Sequence, residues 1–157
     1  MELSLGRPCA VAQVSGTGQD YNIHGSVRFY PFRRGVLVLA DISGLPSGRC
    51  PRPDGIFALH IHRGDSCAGE DFSLTEGHYN PEQLPHPCHA GDLPPLFSNY
   101  GSAFMAVYTR RFSIRELIGR TVVIHSLPDD FTSQPAGAAG EKIACGVIRE
   151  CRRRCSA

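Results

Sequence analysis

Histidine is crowded in this chain, and that crowding limits how the chain can fold. Six of the seven histidines lie in four short clusters, and imidazole that converges from several segments most often indicates a metal site. The spacing indicates two adjacent metals rather than one. The clusters, with an aspartate three residues after the third, are His60-Ile61-His62, His78, His86-Pro87-Cys88-His89 with Asp92, and His125.

Size and composition predict one globular domain. The chain has 157 residues with 41% hydrophobic and 20% charged residues, which is enough for a single core. We expect the domain to span residues 1–157, with a core at about 8–149 and a tail at 150–157. The net charge of +1 provides no general attraction to nucleic acid or anionic membrane, and no apolar run approaches the length of a bilayer-spanning helix.

Short strand patterns separated by turn residues predict an antiparallel β-sandwich or barrel. The only helical pattern is at Ser113–Ile118. Two connections are long, at about 63–99 and 126–141, and the histidine clusters lie in the first of them and at the strand ends beside both. Long loops in a compact domain are usually functional. The predicted strands are Val11–Val14, His24–Tyr30, Val36–Ile42, Ile56–His62, Ala103–Thr109, Thr121–His125 and Ile143–Arg149.

His60 and His62 are two residues apart on a predicted strand, so both side chains point to one face and can chelate one ion. The alternative is two exposed histidines with no ligand. His125 ends another strand and can supply a third nitrogen. An all-imidazole site suits copper, which has to be held in two oxidation states.

His86 and His89 lie in a proline-rich loop, and Asp92 adds a carboxylate. Three imidazoles and one carboxylate suit tetrahedral zinc. This count leaves His78 between the two groups. A single imidazolate can bridge two cations through its two ring nitrogens.

Six segments resemble the copper/zinc superoxide dismutases, especially the bacterial forms, in the correct order from about Gly25 to Ile148. Bacterial origin is therefore expected. The segments are His60-Ile61-His62, Gly77-His78-Tyr79-Asn80-Pro81, His86-Pro87-Cys88-His89-Ala90-Gly91-Asp92-Leu93, Gly119-Arg120-Thr121-Val122-Val123-Ile124-His125, Asp129-Asp130 and Ala144-Cys145-Gly146-Val147-Ile148.

The resemblance implies an all-β Greek-key sandwich or flattened barrel of about eight strands with two long functional loops. It also implies an oxidoreductase that converts superoxide to O₂ and hydrogen peroxide with Cu²⁺/Cu⁺ and Zn²⁺. The implied site residues are His60, His62, His78 and His125 for copper; His78, His86, His89 and Asp92 for zinc; Asp129 as a carboxylate that orients one ligand of each site; and Cys67–Cys145 as a disulfide.

Two residues depart from the family pattern. Lys142, the only lysine of the chain, stands where the family usually has an arginine that docks the anion. A lysine keeps the positive charge but lacks the planar two-pronged donor, and it can also be an ordinary surface residue. Arg63 follows the first histidine pair where an acidic residue is common, and it either adds positive field or points to solvent.

Two other functions stay open at this stage. One is a catalytically weak domain that binds or stores copper and zinc, and the other is a copper-only relative, against which the intact His86, His89 and Asp92 argue. The resemblance leaves the oligomeric state open between monomer and homodimer. His24 is predicted to have no metal role.

Seven cysteines guarantee at least one unpaired cysteine in a monomer. Cys88 lies between two expected zinc ligands and is predicted to be a packed or exposed thiol rather than a ligand. The N-terminal sequence lacks a basic start and a long apolar stretch, so it predicts a cytoplasmic protein. Several cysteines are then expected to remain thiols.

Overall fold

The computed structural model of the protein describes residues 5–17, 22–46 and 55–151, and nine β-strands lie within these ranges. They are β1 (Ala10–Gly16), β2 (His24–Phe32), β3 (Gly35–Ser43), β4 (Gly55–Phe57), β5 (Leu59–His62), β6 (Leu96–Ser98), β7 (Ala103–Thr109), β8 (Thr121–His125) and β9 (Lys142–Glu150). A 3₁₀ segment at Glu70–Thr75 and the short helix α1 at Ile114–Leu117 complete the elements.

Seven strands form one antiparallel sheet in the order β5-β8-β9-β1-β2-β3-β7, and β4 pairs with β6 in a second, two-stranded sheet. β1, β2 and β3 are consecutive neighbours, and β9 returns after a long connection to lie beside β1. This arrangement is a Greek key. The prediction of an all-β antiparallel fold is confirmed.

The predicted strand Ile56–His62 is wrong as a single element, because it breaks at Ala58. β4 pairs with β6, whereas β5 pairs with β8. The backbone of Ala58 bonds instead to Leu127 and His125, at 2.9 and 3.0 Å. The hydrophobic run continues across the break, so the sequence gives no sign of the change of partner.

The prediction of an unbroken 63–99 loop also needs correction. The 3₁₀ segment and β6 both lie inside it. β6 was missed because a strand of three residues, directly after Pro94 and Pro95, is too short to show an alternating pattern. The stretch between β5 and β6 is called the 63–95 loop below.

β5 separates the apolar core from the histidines. Leu59 and Ile61 belong to the buried core cluster, while His60 and His62 occupy the alternate positions of the same strand. The strand alternation therefore places the two imidazoles together on the side away from the core. All four side chains are buried, which excludes the alternative that the two histidines are exposed.

The 63–95 loop folds back along the outer edge of β5. Ile61 donates to the carbonyl oxygen of Gly91 and accepts from the amide of Tyr79, at 2.9 and 2.8 Å. Arg63 donates to Gly77 at 2.9 Å. A disulfide between Cys67 and Cys145, with 5.7 Å between the Cα atoms, ties the same loop to β9. This loop therefore reaches the histidine face from the free edge of the sheet.

Among the residues that the structure describes, no helix has the length and apolar character needed to cross a bilayer. β9 ends at Glu150, where the predicted tail was expected to begin, and Cys151 donates to the carbonyl oxygen of Cys9 at 2.9 Å. Residues 152–157 of that tail lie outside the described ranges.

Candidate metal centre

The fold brings all six clustered histidines and Asp92 into two adjoining groups. In each group the potential ligand atoms lie within 4.8 Å of one another. His78 belongs to both groups, and His24 to neither; its Nδ1 lies 2.8 Å from the carbonyl oxygen of Asn22. The first group is His60, His62, His78 and His125, and the second is His78, His86, His89 and Asp92.

Two rings of the first group turn their unprotonated nitrogens toward each other. His62 Nδ1 donates to the carbonyl oxygen of Glu76 at 2.8 Å, and His125 Nδ1 donates to that of Gly140 at 3.3 Å. Because a carbonyl can only accept, each Nε2 carries a lone pair in the neutral ring, and these atoms are 3.2 Å apart. Two facing lone pairs at this distance favour a cation between them.

The same two rings are neutral at ordinary pH. Burial, reinforced by neighbouring imidazoles, lowers the pKa of His62 to about 2 and that of His125 to about 3. Only neutral imidazole binds a metal, so this depression keeps the ligand form populated.

Asp129 connects the two groups from behind. Its Oδ2 accepts from His60 Nε2 at 2.7 Å, and its Oδ1 accepts from His86 Nε2 at 2.8 Å. Each ring therefore has an unprotonated Nδ1, and neither Nδ1 has a hydrogen-bond partner among the described residues although both are buried. Orphaned buried nitrogens are costly unless they bind a metal.

Asp129 stays ionised in this position. Burial raises the pKa of its carboxyl, but hydrogen bonds from His60, the backbone of Phe131 and His86 outweigh that effect and hold the pKa below the usual range. An ionised carboxylate fixes the tautomer of both rings and increases their basicity as ligands.

His78 uses its two nitrogens differently. Nδ1 lies 2.8 Å from Asp92 Oδ1 and 3.2 Å from His89 Nδ1, within the second group. Nε2 is buried, has no hydrogen-bond partner in the described part of the chain, and remains for the first group. The ring thus has the geometry of a bridge between two cations.

The second group combines three imidazoles with one carboxylate. Asp92 Oδ2 accepts from the backbone of His89 at 3.0 Å and lies 3.1 Å from His86 Nδ1. Burial raises the pKa of Asp92, but the bond with His78 and the other nearby imidazoles bring it below its usual value. This donor set fits zinc, and the all-imidazole first group fits copper.

Lys142 lies beside the first group and is anchored by its ammonium. Nζ donates to Thr75 Oγ1 at 2.8 Å and to the carbonyl oxygens of Glu76 and Phe72 at 3.1 and 3.4 Å. Burial lowers its pKa. The ammonium is therefore held in one position beside the first group.

The guanidinium of Arg63 pairs with the carboxylate of Glu76, and both side chains are more than half exposed to solvent. An open groove of about 650 Å³ is lined by Arg63, Arg120, His78 and His89 among others. Arg120 lies over the ring of Tyr79, 4.1 Å from its centroid. The groove wall is therefore cationic, with part of that charge balanced by Glu76.

Sequence reasoning missed Glu76 and Gly137. Glu76 acts through its carbonyl oxygen, and its backbone has a positive φ of 59°. Gly137 packs against the Asp129–His86 contact, where a Cβ atom would lie 2.0 Å from Asp129 Oδ1. Neither contact depends on a side-chain motif, so no pattern in the sequence indicates it.

The described cysteines are either disulfide-bonded or free thiols. The disulfide that the resemblance implied between Cys67 and Cys145 is present, and Cys9 is also disulfide-bonded. Cys88 is an exposed free thiol, as predicted, and Cys151 is free and half-buried. Cys50 and Cys155 lie outside the described residues.

Comparison with known proteins gives one consistent group. The family model described as Copper/zinc superoxide dismutase (SODC) matches residues 23–148. Superoxide dismutase [Cu-Zn] 2 of Aquifex aeolicus is 34% identical over 140 residues, covering 80% of this chain and 78% of its own. The Legionella pneumophila superoxide dismutase [Cu-Zn] is 33% identical over 146 residues, covering 88% and 85%.

Proposed function

The chain belongs to the copper/zinc superoxide dismutase family, and we propose that its two histidine groups are the copper and zinc sites of a working enzyme. The protein is a superoxide dismutase, an oxidoreductase acting on superoxide. The observation that carries the site assignment is His78, whose Nδ1 lies in one group while its buried Nε2 remains for the other.

His60, His62, His78 and His125 would hold copper, and His78, His86, His89 and Asp92 would hold zinc. Bound copper supplies the one-electron couple that turns two superoxide anions and two protons into O₂ and hydrogen peroxide, while redox-inactive zinc supplies charge and geometry. Asp129 would orient His60 and His86 through its two oxygens.

The protein's own contribution to proton delivery centres on His78. Its Nδ1 is committed to the second group, so Nε2 is the atom of this ring that can hold a proton for the product. An open groove lined in part by His78 brings solvent to this part of the loop, while Nε2 itself is buried. We therefore assign His78 both the bridging role and the proton-holding role.

Lys142 would attract and position superoxide. The substrate is a small anion, and a fixed positive charge beside the first group raises its local concentration. Nζ is held by Thr75 and two carbonyl oxygens, which supply hydrogen bonds but no full negative charge. The ammonium charge is thus left to act on the anion, although without the forked geometry of an arginine.

Metal analysis combined with an activity assay tests the proposal. Protein reconstituted with both metals is expected to hold one copper and one zinc per chain and to remove superoxide in a cyanide-sensitive manner. Bound metals without dismutation would instead favour the storage function, and copper uptake without zinc would favour a copper-only relative. Absence of copper binding would overturn the assignment.

The bridge has its own test. His78→Ala is expected to weaken both sites together, because the ring contributes one nitrogen to each group. Titration of the metal-free variant with zinc and with copper separately gives the two affinities. Loss of zinc binding with copper binding intact would contradict the bridge.

A homodimer stays a prediction, which sedimentation velocity of the purified protein would test. The cytoplasmic location also stays a prediction. The disulfides at Cys9 and at Cys67–Cys145 weigh against a reducing compartment, where such bonds are rare. Recovery of the protein in the periplasmic fraction of cells would contradict the cytoplasmic location.

A further inference from the structure

The zinc-ligand segment 85–93 has almost no regular secondary structure to hold it. Its internal hydrogen bonds are few, such as Cys88 N to Pro85 O at 2.8 Å and Asp92 N to His89 O at 3.2 Å. Gln134 fixes one end, because its side chain exchanges two hydrogen bonds with the backbone of His86, at 3.0 and 2.7 Å. Gly91 is held near the other end by Ile61 and Tyr79, and none of these contacts uses the carbonyl oxygen of Pro87 or Asp92.

Arg111 supplies a further partner for this segment from a distant part of the chain. Its Nη1 lies 3.2 Å from Pro87 O, 3.2 Å from His89 O and 3.5 Å from Asp92 O. Nη1 carries two N–H groups, so the two shorter contacts use both, and the Asp92 carbonyl lies at the outer limit. One guanidinium therefore bonds to the backbone of Pro87 and of the expected zinc ligand His89, and lies close to that of Asp92.

Arg111 is itself attached to the rigid sheet. It follows β7 by two residues, and its backbone amide donates to Thr109 Oγ1 at 3.1 Å. The cationic donor strengthens hydrogen bonds to carbonyl oxygens, and the planar head keeps their geometry. Arg111 thus adds a further contact between the sheet and a loop segment that carries three of the expected zinc ligands.

We propose that Arg111 is a positioning residue that fastens segment 85–93 to β7 and preorganises the zinc site. The inference rests on the proposed zinc role of His78, His86, His89 and Asp92. Charge alone predicts the opposite effect on zinc affinity. A guanidinium near the site repels a divalent cation, so its removal would strengthen zinc binding. The direction of the effect on zinc affinity therefore separates preorganisation from charge.

The test measures zinc binding directly. Metal-free protein is titrated with Zn²⁺ in competition with a chromophoric chelator, and Co²⁺ in the zinc site is followed by its visible absorption. Arg111→Gln is expected to lower zinc affinity about tenfold, the lower end of the effect of losing an outer contact to a ligand. Arg111→Lys, which keeps the charge without the fork, is expected to recover only part of the loss.

Arg110→Gln is the matched control, because it removes the same charge one residue away. Within the described residues Arg110 has no hydrogen bond to segment 85–93, so zinc affinity is expected to stay at the wild-type value. Hydrogen exchange of the metal-free proteins adds a second readout. Peptides covering 85–93 should exchange faster in Arg111→Gln, while those from β1 to β3 should not change.

Unchanged or tighter zinc binding by Arg111→Gln would overturn the inference, as would an equal loss in Arg110→Gln. Failure of the wild-type protein to bind zinc would overturn the proposed function itself. The two failures are distinguishable, because the first requires a wild-type protein that binds zinc normally.

Discussion

Lys142 and His62 share one hydrogen-bond acceptor, the carbonyl oxygen of Glu76. His62 Nδ1 donates to it at 2.8 Å and Lys142 Nζ at 3.1 Å. The same atom thus fixes the tautomer of an expected copper ligand and the position of the expected anion guide. Glu76 has a positive φ of 59°, a conformation that is costly outside glycine and persists where surrounding contacts enforce it.

Lys142→Gln is expected to lower kcat/KM several-fold at low ionic strength. The loss should be smaller than the roughly 10- to 10³-fold gain that a whole cationic cleft provides. The salt dependence of kcat/KM should weaken as well, because one of the steering charges is removed. Stopped-flow measurement of superoxide decay over a range of salt concentrations gives both quantities.

Arg149→Gln is the control for Lys142. Arg149 is exposed on β9 seven residues further along, roughly 23 Å away at the rise of an extended strand. The Arg149→Gln substitution removes the same charge from the protein at a remote position. Equal losses in the two variants would contradict a local role of Lys142.

Asp129→Asn is expected to weaken both metal sites by about 10- to 100-fold. The amide can accept from only one of His60 and His86, because its nitrogen is a donor. Separate competition titrations with copper and zinc measure the two affinities. Asp130→Asn is the control, since within the described ranges the Asp130 carboxylate bonds to Thr132 and Ser133 of its own turn.

Gly137→Ala is expected to disturb the same carboxylate through steric contact. The new Cβ atom would lie 2.0 Å from Asp129 Oδ1 and 2.7 Å from His86 Nε2, at a positive φ of 70°. The backbone conformation alone costs about 1–2 kcal/mol with an L side chain. Unfolding of the metal-free variant in denaturant and its zinc affinity should both show the loss.

Gly77→Ala is the comparison for that variant. Gly77 adjoins His78, but a Cβ atom there meets no atom within 4 Å and its φ is not in the left-handed region. We expect wild-type zinc affinity in Gly77→Ala. A similar loss in both variants would contradict the steric explanation.

The metal-free protein is expected to lose stability as the pH falls from 7 to 5. His62 and His125 have folded-state pKa values of about 2 and about 3, below the ordinary 6.5, so the unfolded chain binds protons that the folded protein excludes. The free energy of unfolding is therefore highest above pH 6.5 and falls as the pH drops below 6.5. At pH 5 the loss is about 2 kcal/mol for each of the two rings.

Denaturant unfolding at pH 7 and pH 5, after removal of metals by a chelator, measures this loss. Asp92 and Asp129 do not interfere, because carboxyls with lowered pKa values release their stabilisation only at more acidic pH. Equal free energies of unfolding at the two pH values would contradict the neutral, buried state of the rings.

The sequence was sufficient to predict the histidine groups and most of the sheet, for a physical reason. His60 and His62 follow a period-2 pattern, and strong strand runs such as Val36–Ile42 are unambiguous. The resemblance to the family was specific because six segments occur in the correct order and have to meet at one site. The histidines and the aspartate that the structure brings together were therefore predicted from the sequence.

Residues that act through the backbone or through shape were not predicted. Glu76 contributes a carbonyl oxygen, Gly137 contributes the absence of a side chain, and Arg111 meets backbone atoms more than 15 residues away. Each depends on the tertiary path of a loop. The break at Ala58 was missed for a related reason, since burial continues on both sides of it while the hydrogen-bond partner changes.

The path of the 63–95 loop along β5 also covers one edge of the sheet. β5 is an edge strand of the seven-stranded sheet. Tyr79 and Gly91 bond to the outer backbone groups of Ile61, and Gly77 bonds to Arg63 just past the end of the strand. An uncovered edge is a template for pairing with a second chain. Because the same loop carries His78, His89 and Asp92, we expect metal release to loosen this cover, so that cofactor loss and aggregation become linked.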